Sequence, residues 1–191
     1  MKNTKRTFIA IKIEPEKVLT DLFKNLKRSL KDEKIKWVEE NNLHLTLRFL
    51  GETSQEQFQQ VDLVLKKLAA ENKPFSFDLQ GTGFFGSKSQ PKVLFISVLN
   101  AEILSQFADN FVKSISDFGF QTDEKPFAPH LTLGRIKEIQ NSGQFLNLVQ
   151  QYENVPFQQV LVNEIIFYES ILHSTGPVYK PMRIYKLNYL I

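Results

Sequence analysis

Two hydrophobic periods organise this chain, one near two residues and one near 3.6, and they alternate along its length. The apolar run Arg6 to Ile13 predicts a strand. Pro15 then opens a helix with Val18, Leu22, Leu26 and Leu30 at fourfold spacing. Residues Ile35 to Val38 and Leu43 to Leu50 read as two short strands separated by the turn-prone pair Asn41 and Asn42. Ser54 is placed as the N-cap of a helix reaching about Glu71, with Phe58, Val61, Leu65 and Leu68 on one face. Pro74 introduces a strand from Phe75 to Leu79, and a polar, glycine-containing loop is expected after it.

The second half follows the same order. Val93 to Val98 predicts a strand, and Ala101 to Phe118 a helix with Leu104, Phe107, Phe111, Ile115 and Phe118 in register. Pro126 and Pro129 hold the chain extended before another strand. A short helix near Phe145 to Gln151, a strand from Val160 to Tyr168, a loop through His173 and Gly176, and a terminal strand after Val178 complete the pattern. Ile9 precedes His44 by 35 residues and Ile96 precedes His130 by 34; Phe75 follows the first by 31 and Val160 the second by 30. Such matched spacing predicts an internal duplication and a two-lobed, pseudo-twofold molecule.

At the centre of each half stands the same tetrapeptide, His-Leu-Thr-Leu, at positions 44 to 47 and 130 to 133, which uses two of the three histidines. A given tetrapeptide with a rare His recurs by chance in a chain of this length with a probability of about one in a thousand. On a strand, His44 and Thr46 share one face while Leu45 and Leu47 take the other, and His130 with Thr132 repeats the arrangement. Two lobes related by a twofold axis bring two imidazoles and two hydroxyls to one cleft. In-line displacement at phosphorus requires a base beside the entering oxygen and an acid beside the leaving one. Histidine serves either role near neutral pH, and hydroxyl donors hold the non-bridging oxygens.

These residues and their surroundings resemble the two-histidine phosphoesterase superfamily, and within it the RNA 2′,3′-cyclic phosphodiesterase branch, the LigT-like or 2′-5′ RNA ligase family. The similar stretches are 6–11, Trp37-Val38 leading to 43–52, Gly83-Phe84-Phe85 with 91–94, 129–135 and 176–179. The resemblance implies an α+β, bilobal fold with two antiparallel sheets facing across a central cleft and helices outside. It implies metal-independent opening of 2′,3′-cyclic phosphate ends of RNA or oligonucleotides to 2′-phosphates, with His44 as proton donor, His130 as proton acceptor, and no cofactor. Thr46, Thr132 and Arg135 would bind the substrate phosphate. Regular alternation points Arg135, five residues after His130, away from the imidazole face, unless Gly134 permits a bulge; Arg48, in phase with His44, is the other candidate. The order of acid and base is not visible in two nearly symmetric motifs. A non-catalytic RNA-end or nucleotide phosphate-binding module, or 2′-5′ RNA ligation, stands as the alternative.

Composition narrows the setting. With 42% hydrophobic residues, 17 Phe and 24% charged residues, the 191-residue chain is expected to form one domain, 1–191, made of repeats 4–82 and 92–170 with a strand at 178–190 completing the fold. Cysteine is absent, which excludes disulfides, thiolate metal sites and a cysteine nucleophile. The polar start, Met1 to Arg6, and the short apolar stretch after it fit neither a signal peptide nor a membrane span. A monomer in the cytoplasm, with RNA as partner and no membrane, is expected. The net charge is +3, and Lys24, Lys27, Arg28, Lys31, Lys34 and Lys36 cluster where a polyanion or plain solvent would suit them.

Other signals carry less. Gly81-Thr82-Gly83-Phe84-Phe85-Gly86 has the dinucleotide-binding glycine spacing but no helix follows it, so a connecting loop between lobes is expected. His173 reads as a surface residue in a loop. A metal at His44 and His130 would lack a third ligand, and no Gly-x-Ser-x-Gly elbow exists. Trp37, Phe84 and Tyr179 are aromatic residues near the cleft side that could stack on bases, although core packing is the commoner use of such residues.

Overall fold

The computed structural model describes residues 4–120, 127–174 and 176–188; Pro126, read above as holding the chain extended, lies outside them. The chain runs β1 (Lys5–Lys12), α1 (Lys17–Ser29), β2 (Lys34–Trp37), a 3₁₀ turn (Glu40–Asn42), β3 (His44–Thr53), α2 (Gln55–Glu71), β4 (Phe75–Ser87) and β5 (Gln90–Leu99). It continues with α3 (Glu102–Ser114), a second 3₁₀ turn (Ser116–Phe118), β6 (His130–Glu138), α4 (Ser142–Gln151), β7 (Pro156–Val162), β8 (Glu164–Leu172) and β9 (Pro177–Lys186). The strands form two antiparallel sheets, one ordered β3-β1-β8-β9 and the other β2-β6-β5-β4-β7. This is the α+β architecture expected.

Each sheet buries one face in a shared core. Ile9, Ile11, Leu45, Leu47 and Phe167 enter it from the four-stranded sheet, and Phe77, Leu94, Ile96, Leu131 and Leu133 from the five-stranded one. Helical side chains close it, including Leu22, Phe23 and Leu26 of α1, Leu65 of α2, Phe107 of α3 and Phe145 of α4. On the other face of the four-stranded sheet, Phe8, Ala10, Ile166 and Tyr168 form a small separate cluster with Tyr179 against it. The duplicated leucines are thus core residues, and the His and Thr between them face the opposite way. Among the described residues, no helix is long and apolar enough to cross a membrane.

Local signals explain most elements. Ser54 caps α2 through a capping box, accepting from the Gln57 amide at 3.2 Å while the Gln57 side chain accepts from the Ser54 amide at 3.0 Å. Three expectations needed correction. In α1 the buried stripe is Leu19, Leu22, Phe23, Leu26, with Leu30 just beyond, and Val18 is 53% exposed. A spacing of four drifts around a helix of 3.6 residues per turn, so the core side alternates between three and four.

The glycine-containing segment 81–86 is the second half of β4, paired with β5, and not a connecting loop. Its glycines answer to close approaches: a Cβ on Gly81, at φ +76, would lie 2.1 Å from the Glu153 carbonyl oxygen, and one on Gly83 2.7 Å from the Phe95 ring. The strand read as Val160 to Tyr168 is two strands, β7 and β8, in different sheets. Val160 lies across from Phe77 in one sheet, so its matched spacing with Phe75 joins neighbours and does not relate the lobes.

Because Leu19 is fully buried and Val18 is not, Leu19→Ala should cost about 2–5 kcal/mol in urea unfolding, and Val18→Ala no more than about 0.5 kcal/mol. Equal effects would contradict this placement of the helix.

Candidate active site

The two motif strands carry the same irregularity. Along β3, Ile9 pairs with Arg48 but Ala10 pairs with Thr46, so Leu47 is an extra residue; along β6, Leu94 pairs with Gly134 but Phe95 with Thr132, so Leu133 is extra. Each is a β-bulge immediately after the His-x-Thr. A bulge shifts the alternation by one, and the burial follows it: Leu47 and Arg48 are both buried and Phe49 is exposed, while Leu133 and Gly134 are both buried and Arg135 is exposed. Arg135 therefore shares the face of His130 and Thr132. Arg48, only 6% exposed, lies on the core side, and not on the imidazole face where strict alternation places it.

Gly134 is needed for space more than for the bulge. A Cβ there would meet Ile35 Cγ2 at 2.7 Å and Trp37 Cε3 at 3.3 Å, both on β2, which flanks β6. In the first copy, among the described residues, β3 is an edge strand with no such neighbour, and an arginine fits at the equivalent position.

Both imidazoles are held by one device. His44 Nδ1 lies 2.6 Å from the carbonyl oxygen of Asn42, and His130 Nδ1 lies 2.8 Å from that of Ala128. A carbonyl only accepts, so Nδ1 carries the proton in each ring, and Nε2 of the neutral imidazole keeps its lone pair. The rings are walled by aromatic side chains. Phe8 sits 5.1 Å and Tyr179 5.0 Å from the His44 ring, and Phe85 sits 4.8 Å and Phe95 5.6 Å from that of His130.

The lobes meet electrostatically as well as sterically. Burial pushes the His44 pKa below its ordinary value; the hydrogen bond to Asn42 opposes this, and the positive charges of Arg135 and His130 add to the lowering. His44, His130 and Arg135 thus converge from two sheets. Burial raises the Tyr179 pKa, against the opposing charges of Arg135 and Arg6. Burial, with the nearby Glu164 carboxylate, pushes Tyr168 up to about 12, so both phenols are neutral donors near pH 7.

A pocket of about 350 Å³ opens beside His44 on the same sheet face, lined by Asn41, Asn42, Tyr168, Tyr179 and Ile166 among others. Thr46 and Thr132 are half-buried on the imidazole faces. Of the aromatic candidates only Tyr179 faces the site: Trp37 packs on Phe23 at 5.6 Å and Phe84 on Phe145 at 5.5 Å. Phe8, Phe85 and Phe95 were missed. For Phe85 the reason is the loop assigned to its segment; for the others, the alternation of β1 and β5 relative to the motif was the available signal. His173 lies in the turn between β8 and β9, where its backbone exchanges hydrogen bonds with Gly176. Among the described residues, no group of three or more His, Cys, Asp or Glu is placed to hold a metal ion.

Comparison with known proteins agrees with this arrangement. Residues 11–95 and 98–179 match the LigT like Phosphoesterase family. The RNA 2′,3′-cyclic phosphodiesterase of Thermotoga maritima is 33% identical over 177 residues, covering 92% of this chain and 91% of that one. That of Methanothermobacter thermautotrophicus is 28% identical over 184 residues, covering 95% and 98%. Among solved structures, a Thermus thermophilus protein superposes with a TM-score of 0.78 at 26% identity, covering 95% of this chain and 97% of that one. LigT of E. coli complexed with 3′-AMP has the same fold, with a TM-score of 0.73 at 22% identity and coverage of 97% and 99%. An α+β frame with two facing sheets and paired His-x-Thr strands defines a two-histidine phosphoesterase. This chain belongs to the LigT-like phosphoesterase family.

Since the Arg135 charge helps to lower the His44 pKa, Arg135→Ala should move the His44 titration midpoint upward toward 6.5, read from its ring-proton shifts by NMR. A midpoint unchanged or lower in the variant would separate the two side chains.

Proposed function

We propose that this chain opens the 2′,3′-cyclic phosphate ends of RNA or oligonucleotides to 2′-phosphomonoesters, without a metal or cofactor. Water attacks phosphorus as the bond to the 3′ oxygen breaks. His130 accepts the proton from water and His44 donates one to the leaving 3′ oxygen, while Thr46, Thr132 and Arg135 hold the non-bridging oxygens. The observation that carries this reading is the pair of imidazoles with identically fixed tautomers, each offering Nε2, on strands from facing sheets. The name shared by the curated relatives agrees with it.

The assignment of acid and base draws support from the pocket. The leaving 3′ oxygen belongs to the terminal ribose, so the acid must stand on the side where the nucleoside sits. The nucleoside-sized pocket adjoins His44. In the free protein, burial and the nearby positive charges disfavour protonated His44. A bound phosphodiester brings negative charge that offsets both, so the acid is readied by substrate. The reading includes a monomer acting in the cytoplasm, with which the cysteine-free composition agrees. It takes residues 1–191 as one bilobal domain of two repeats, 4–82 and 92–170, with a strand at 178–190 completing the fold. The mirrored bulges support the repeat; residues 1–3, 121–126, 175 and 189–191 lie outside the described ones.

Incubation with adenosine 2′,3′-cyclic phosphate in EDTA should yield the 2′-phosphate, with a bell-shaped dependence of kcat on pH. His44→Ala and His130→Ala should each lower the rate by about 10² to 10⁴. A 3′-phosphate product, or activity abolished by EDTA and restored by a divalent metal, would refute the mechanism.

A further inference from the structure

An RNA ending in a 2′,3′-cyclic phosphate has no chain beyond that end, so every other phosphate it carries lies on the 5′ side. If the cyclic phosphate sits between His44 and His130, the remaining backbone must leave the cleft along one lobe. The terminal nucleoside beside His44 would turn its 5′ oxygen back across the cleft to the five-stranded sheet, which offers cations for the phosphates beyond it, whereas Lys12, across from His44, is already paired with Glu14. In β6, Arg135 and Lys137 are exposed on either side of the buried Ile136, which sets both on the face of His130; Lys137 is the extra residue of a second bulge, opposite β2, and Glu138 after it is exposed too. On β2, Ile35 and Trp37 pack against the core, leaving Lys34 and Lys36 on the other face. Lys36 is the direct cross-strand partner of Arg135, a register that sets their Cβ atoms about 4.5–5.5 Å apart.

Two like charges placed opposite each other repel. Lys34 pairs with Glu138 at 2.5 Å, but among the described residues no carboxylate lies within ion-pair distance of Lys36, Lys137 or Arg135. Such an arrangement is stabilised by an anion that bridges the cations. The rest of the basic cluster is elsewhere: Lys24, Lys27 and Arg28 lie on α1, with Lys27 over the Phe23 ring and Arg28 bonded to Asn25.

We propose that Lys36 and Lys137, continuing outward from Arg135, form a backbone track that holds the phosphodiesters 5′ of the cyclic end, so that the protein prefers an oligonucleotide to a mononucleotide. The inference rests on the activity proposed above. Lys36 is on the sheet's edge strand, where a backbone tracking outward reaches solvent without crossing another strand. Contacts of this kind carry no base preference, because they go to the phosphates alone.

The test compares adenosine 2′,3′-cyclic phosphate with an oligoadenylate ending in the same group, using the wild type and Lys36→Gln/Lys137→Gln, which keeps much of each aliphatic stem. For the oligonucleotide the variant should raise KM about fivefold to tenfold and flatten the salt dependence of kcat/KM by roughly one logarithmic unit per decade. Lys36→Arg/Lys137→Arg should restore both. For the mononucleotide, kcat/KM should stay within about twofold of wild type. Equal losses on both substrates, or none on either, would overturn the track. If the wild type turns over neither substrate, the proposed activity fails first. Fluorescence anisotropy with a labelled oligoadenylate bearing a 2′-phosphate then decides the track separately: a weaker affinity in the variant supports it and an unchanged one overturns it.

Discussion

The bulge that follows His-x-Thr in each motif strand governs this molecule. Strand alternation obliges every second side chain to face the same way, and a bulge is the one-residue device that breaks the rule without ending the strand. At Leu47 and at Leu133 it lets two successive residues point into the core, and it brings the residue five after each histidine round to the cleft. Without it, Arg135 would sit behind the sheet and its charge could not reach His44. In β6 the bulge also serves the core, since it turns Ile136 inward as it turns Arg135 out.

The copies of the motif share backbone geometry and differ in what surrounds them. Beside β6 runs β2, whose Ile35 and Trp37 leave space only for glycine at position 134; β3 stands at the edge of its sheet, and Arg48 is buried at the matching place. Five residues after its histidine, one strand presents Phe49 and the other Arg135. Both imidazoles are walled by aromatic rings, but only the His130 strand sets a cation at the place its bulge turns outward. Two equal imidazoles in unequal surroundings suit a reaction that needs one acid and one base.

Much of this was legible in the residues. Among the described residues the four α-helices were found, Ser54 was a correct cap, and the repeated His-Leu-Thr-Leu marked both motif strands because leucine and His-x-Thr faces follow from period two. The errors have specific causes. Gly81 to Gly86 looked like a loop because glycine is a poor strand former, yet here it yields to the Phe95 ring and the Glu153 carbonyl. Val160 to Tyr168 looked like one strand because nothing local marks Asn163 as the point where the chain changes sheets. Alternation alone set Arg48 and not Arg135 on the imidazole face, because a bulge depends on the register of the partner strand.

What the sequence by itself determined is the list of elements, the core leucines and the pair of histidines with their threonines, since these follow from periodicities that each segment carries in its own residues. Tertiary structure decided which residues join them. The approach of β2 to β6, the shift of β1 and β5 against the motif strands and the exchange between sheets after β7 place Arg135, Lys36, Phe8, Phe85 and Tyr179 on one surface. Those relations hold between segments far apart in the chain, and their energies depend on side chains meeting across sheets, which no local pattern records.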